Sequence, residues 1–127
     1  PLPFQDTALG VMALAFAVMG GTAFFSPVRI TRLFEILDLS AAGRNEVRAV
    51  YGGFGLAVSA LLVTSLFWPP LRTGVCLTVA VALLGMAGGR GVSALLDRTL
   101  GRIAFSFLLI ELLGAALLLY SIRGEAI

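Results

Sequence analysis

The sequence contains no histidine, no lysine and a single cysteine. Without histidine, the chain lacks the commonest general base and the commonest metal ligand. Ser59, Thr64, Thr78, Ser93 and Ser106 have no imidazole to activate them as nucleophiles. The usual axial ligand for haem or chlorophyll is missing for the same reason. Cys76 alone cannot close an internal disulfide, so cysteine usage does not report the redox compartment. Charge is scarce as well, at 13% of residues, where soluble domains carry about 25%. The net charge of +2 is too mild to suggest a nucleic-acid partner. Phosphate loops of the Walker A or GxGxxG type, CxxC and HExxH pairs and a nucleophile elbow are all absent. The expectation is a protein that is not an enzyme, with no metal, no catalytic residue and no cofactor.

What the chain does have is long apolar runs. Of its 127 residues, 59% are hydrophobic, and the mean hydropathy is +1.03. A membrane helix needs ~20 mostly apolar residues, and four segments qualify: 8–25, 47–67, 74–89 and 103–120. None of them shows the polar face at helical period that a soluble bundle would need. The predicted fold is therefore all-α, a single four-transmembrane-helix domain over 1–127. Ser26-Pro27 and Trp68-Pro69-Pro70 end the first two spans, while Gly88-Gly89-Arg90-Gly91 leaves the end of the third, placed at 89, ambiguous. The first span lacks the basic leader of a signal peptide and reads as a retained helix.

The first loop carries a pattern of its own over 26–39. Ser26 and Pro27 suit a helix start. Ile30, Leu33, Phe34 and Leu37 follow helical spacing, with Arg29, Arg32 and Glu35 on other faces. This predicts an amphipathic helix, lying in the membrane interface or packed on the bundle. A shorter counterpart is expected over 92–100. Arg32, Leu37, Gly43 and Arg44 recur 58 residues later as Arg90, Leu95, Gly101 and Arg102, a faint sign of duplication.

Seven of the nine arginines belong to the first and third loops: Arg29, Arg32, Arg44, Arg48, Arg90, Arg98 and Arg102. Arg72 and Arg123 fall on the other side. The positive-inside rule puts loops 26–46 and 90–102 in the cytoplasm and both termini outside, in a bacterial inner membrane facing the periplasm. Trp68 and Tyr120 end spans on that outer side, as an aromatic belt would.

Membrane helices associate through small residues that let backbones approach. Ala13, Ala17 and Gly21 form such a stripe on the first span, and Ala49, Gly53 and Ala57 on the second, with Gly52, Gly55 and Ser59 nearby. Gly85 and Gly89 make a GxxxG pair on the third, and Gly114 thins the fourth. These faces serve packing within the bundle or against other membrane subunits.

Glu111 stands near the middle of the fourth span, about 12 Å from its start at ~1.5 Å per residue. A central carboxylate costs roughly 2.5–3.5 kcal/mol to insert and needs a partner facing the bundle interior. Arg48, Tyr51 and Arg90 are the candidates, and with Glu46 they complete a predicted intramembrane polar cluster. It reads either as a structural clasp or as a proton-relay or ligand-binding carboxylate.

The run Glu46-Val47-Arg48-Ala49-Val50-Tyr51-Gly52-Gly53, with Gly89-Arg90, Asp97 and Glu111, resembles a group of small four-helix bacterial membrane proteins classed as a domain of unknown function. That group is similar in size and layout to DoxX-like proteins. The resemblance implies a four-helix inner-membrane fold and no established activity. The small size, the missing catalytic groups and the small-residue faces point to an accessory subunit of a larger membrane complex; a photosynthetic or respiratory host is expected, though no residue names it. A small carrier or channel, handling protons, an anion or a lipophilic molecule through Glu111 and nearby arginines, is the alternative. Expected partners are the bilayer, other membrane subunits, and lipids or lipophilic molecules at the helix surface.

Overall fold

The computed structural model describes residues 3–125. Its helices are α1 (Pro3–Phe25), the short α2 (Pro27–Arg32), α3 (Ala41–Phe67), α4 (Arg72–Asp97) and α5 (Arg102–Ser121). A 3-10 turn over Pro69–Leu71 leads into α4. The four long helices are each long and apolar enough to cross a membrane. They form an antiparallel bundle in which α1 packs chiefly on α3 and α4 on α5, while α1–α5 and α3–α4 contacts close the ring. The helix starts of α1 and α4 and the ends of α3 and α5 gather at one end, here the terminal end. Loops one and three form the loop end. A core of Leu9, Met12, Leu62, Val79, Leu83 and Leu118 draws on all four spans.

Every span is longer than the hydropathy alone predicts. The Gly88-Gly89-Arg90-Gly91 stretch continues α4, and of the expected counterpart helix over 92–100 residues 92–97 are the last turns of α4 while 98–100 are not helical. A glycine costs about 1 kcal/mol in a helix in water, whereas an unsatisfied backbone group in lipid costs several. The helix therefore runs on until Arg98 turns it off in a left-handed conformation (φ 54°). At the start of α3, the Ser40 hydroxyl caps the helix, accepting from the Gly43 amide at 3.1 Å.

The predicted amphipathic helix is cut short. Helix α2 ends at Arg32, and Glu35 takes a left-handed φ of 67°. The Glu35 amide donates to the Arg32 carbonyl and the Ile36 amide to that of Thr31, both at 3.0 Å. These two bonds make a Schellman ending, with glutamate in the place that glycine usually takes. The apolar stripe divides accordingly. Leu33, Ile36 and Leu37 stay exposed, while Phe34 folds back against Phe107 of α5 with ring centroids 5.3 Å apart. The residue correspondence between the two loops has no structural counterpart, because Arg32 ends a six-residue helix and Arg90 lies inside one of 26 residues.

Residues Arg48–Gly53 of α3 form a π-helical turn. Its wider winding puts Val47 and Gly52, five residues apart, on the same buried face, from which Gly55, Ser59, Leu62 and Ser65 continue at ordinary spacing. This shifts the packing stripe. The predicted Gly53 is only half-buried and Ala57 is exposed, while Gly52 and Gly55 meet α1. On α1, Ala13 is buried and Ala17 half-buried, but the close approach is made by Gly20 and not by Gly21. A Cβ on Gly20 would stand 2.7 Å from the Leu56 amide nitrogen, and one on Gly55 would stand 3.0 Å from the Gly20 Cα. The Ser59 hydroxyl adds a hydrogen bond to the Ala13 carbonyl at 2.7 Å. Gly114 is buried against Met12 and Leu83. Gly85 and Gly89, by contrast, face out of the bundle, because α4 turns Val79, Leu83 and Ala87 inward.

Gly20→Ala therefore forces two backbones apart and is expected to destabilise the bundle by about 1–3 kcal/mol, the usual cost of overpacking. Gly21→Ala and Gly85→Ala meet open space and should be neutral or slightly stabilising through helix propensity. Thermal unfolding of the three variants in one detergent separates the two cases; equal losses at Gly20 and Gly21 would contradict the packing.

Candidate functional site

At the loop end, the Arg90 guanidinium of α4 grips the Glu111 carboxylate of α5 sideways. Nε donates to Oε1 at 2.9 Å and to Oε2 at 3.1 Å, and Nη2 donates to Oε2 at 2.9 Å. The Glu111 side chain is 3% exposed and that of Arg90 22%. Phe34 and Phe107 lie under the guanidinium, their ring centroids 5.7 and 5.3 Å from its central carbon. Paired hydrogen bonds of this charge-assisted kind are the stronger ones in proteins, and the two aromatic faces replace water around the cation. The Schellman ending of α2 delivers Phe34 to this position, so the first loop is folded over the ion pair.

Beside the pair lies an open cleft of about 490 Å³, lined by Tyr51, Arg90, Ser93, Asp97 and Thr99 among others. Of the predicted polar cluster, the structure thus joins Arg90 to Glu111 and sets Tyr51 on the same cleft as Arg90. Arg48 goes elsewhere: it donates through Nε to the Phe24 carbonyl at 2.9 Å, tying the π-helical turn to the end of α1. Glu46 is exposed and makes no hydrogen bond or ion pair among the described residues. No set of three or more His, Cys, Asp and Glu side chains that could hold a metal ion occurs among the described residues.

A second arginine clasp, at the terminal end, escapes the sequence reading. Arg72, counted there as a loop cation, is only 5% exposed. Its Nε donates to the Ser65 carbonyl at 2.8 Å and its Nη2 to the Leu66 carbonyl at 2.6 Å. In a continuing helix those carbonyls would accept from the amides of residues 69 and 70, but Pro69 and Pro70 have none. Arg72 supplies the missing donors. Its Nη1 reaches the Gln5 side-chain oxygen at 2.9 Å and lies 3.2 Å from the Asp6 carboxylate. The Gln5 Nε2 passes the link on to the Ser121 carbonyl at 3.0 Å. One guanidinium thereby binds the ends of α1, α3 and, through Gln5, α5 to the start of α4. The sequence signal was available: two consecutive prolines leave two orphaned carbonyls, and a lone arginine follows them.

Removing one member of a buried ion pair strands the other. Glu111→Leu should destabilise the bundle by about 3 kcal/mol, near the low end for such deletions because Arg90 keeps some solvent contact. Arg72→Met should cost a similar amount, since it leaves two helix-end carbonyls without donors at about 1–3 kcal/mol each. Arg123→Met should change little, because Arg123 is exposed. Chemical or thermal unfolding in detergent reads all three, and an unchanged Arg72→Met variant would refute the clasp.

Comparison with curated proteins and with solved structures returns no match. A family model described as a domain of unknown function (DUF4345) matches residues 4–121, a stretch that takes in all four spans and both arginine clasps. The chain belongs to that family, and it is a small multi-pass membrane protein by its four spanning helices.

Proposed function

We propose that this protein is a non-catalytic accessory subunit that packs against a larger integral membrane complex of a bacterial inner membrane. One observation carries the reading. Thr78, Ala82, Gly85, Gly89 and Ser93 lie on the exposed side of α4, spaced four, three, four and four residues apart. A Cβ added at Gly85 or Gly89 would meet nothing within 4 Å. Lipid is served equally well by Leu or Ile, whereas small residues at this spacing let a second helix approach to backbone contact. The face is not consumed by the bundle, whose own close approach uses Gly20, Gly52 and Gly55.

The polar groups favour the same reading over a carrier. Both Glu111 oxygens and three Arg72 nitrogens are engaged with other parts of the chain, an arrangement suited to fixing helix register. Exchange of a proton or anion at Glu111 would require that pair to open. A photosynthetic or respiratory assembly remains the host class we favour. The excess of arginines at the loop end supports a cytoplasmic loop end and periplasmic termini. A cysteine introduced by Ser40→Cys should then react only with reagent applied from the cytoplasmic face; labelling from the periplasmic face would reverse the orientation.

The particle containing this chain, extracted from its native membrane in mild detergent, should run at fixed stoichiometry with a larger complex. A Gly85→Leu/Gly89→Leu variant should fold with unchanged thermal stability yet leave that particle. Recovery of only free monomer from the native membrane would refute the subunit reading.

A further inference from the structure

We propose that the cleft beside Arg90 binds the headgroup of a zwitterionic aminophospholipid, with its phosphate at Arg90 and its primary ammonium at Asp97. The cleft shares Gly89 and Ser93 with the helix face of the subunit reading, but the inference does not rest on that reading. The side-on grip on Glu111 uses Nε and one edge of Nη2, and Nη1 has no partner among the described residues. Arg90 also lines the cleft, so a free donor edge of a half-buried cation stands at its wall. Tyr51, Ser93, Asp97 and Thr99 line it too, and none of their side chains makes a hydrogen bond or ion pair among the described residues. By contrast, Ser59, Ser65, Ser106 and Ser121 each bond a carbonyl, and every Arg72 nitrogen has a partner.

Charges of both signs in one cleft select the ligand. Asp97 lies two helical turns beyond Arg90 on the same helix, about 10 Å along the axis at ~1.5 Å per residue. That is the direction from the interior of the bundle toward its loop end, the order in which a phospholipid presents phosphate and then amine. Met86, one turn deeper than Arg90, gives the cleft an apolar inner wall, against which the upper acyl chain would lie. At about 490 Å³ the cleft is of ordinary ligand-site size. A glycerol headgroup would meet the Asp97 carboxylate with neutral hydroxyls, which donate weaker hydrogen bonds than an ammonium does. A choline headgroup has no N–H to donate to it.

Native mass spectrometry of the full chain in detergent tests this, with phosphatidylethanolamine, phosphatidylglycerol and phosphatidylcholine of matched chains supplied in equal amounts. Phosphatidylethanolamine should be retained about tenfold over the others, the discrimination of one charge-assisted hydrogen bond. Asp97→Asn should erase that preference without altering thermal unfolding, while Asp38→Asn, in the first loop, should keep it. Preference for phosphatidylglycerol, equal retention of all three, or an Asp97→Asn variant that still prefers phosphatidylethanolamine would overturn the proposal. Displacement of the lipid by soluble phosphoethanolamine would overturn its assignment to a membrane lipid.

Discussion

A hydrocarbon interior offers no water to a stray carbonyl or a buried charge, so each must be answered by another part of the chain. The prolines that end α3 remove two amide donors, and the carbonyls of Ser65 and Leu66 would lack donors without Arg72. Meeting that need fixes far more than one turn. The same guanidinium holds Gln5, Gln5 holds the end of α5, and the terminal end of the bundle closes as a unit. At the opposite end the demand comes from Glu111, answered by Arg90, and the cation in turn draws Phe34 and the first loop over itself. The bundle is thus stapled across its helices at both ends, with a mostly apolar core and a tight α1–α3 crossing between them.

Much of the fold was legible because the bilayer imposes length and apolarity on every span. Four apolar runs and their proline or glycine boundaries locate the four helices, and the need of Glu111 for a partner reduces the field to a few side chains that include Arg90. The failures have local physical causes. Glycines at 88, 89 and 91 resemble a helix end only if water competes for the backbone. The small-residue stripes were read at a regular four-residue step, but the π-helical turn at Arg48–Gly53 advances the register by a residue, so that Gly52 and Gly55 carry the contact. Hydropathy contains no trace of that turn. The first-loop helix stops early because Glu35 accepts a left-handed conformation for which its side chain gives no warning.

Arg72 shows how a charge count can mislead. As one of two arginines on the charge-poor side it contributes to an orientation argument, yet its side chain is a structural part of the bundle and faces no lipid headgroup. The rule survives its removal, since the loop-end arginines still predominate. The distinction matters for function too. Charges buried in a small membrane protein invite a transport reading, but here Arg72 and the Arg90–Glu111 pair are engaged by other parts of the chain.

The central claim is that the intramembrane charges hold the bundle together and carry no chemistry. Replacing the pair as a whole tests it most directly, because well-packed apolar groups can stand in for a buried ion pair without loss of stability. The measurement is unfolding stability and native-particle mass of the double variant Arg90→Met/Glu111→Leu. The account predicts stability restored to within about 1 kcal/mol of the starting protein, above either single variant, and retention in the large particle. A double variant no more stable than either single variant, or one that folds but is lost from the large particle, would contradict it.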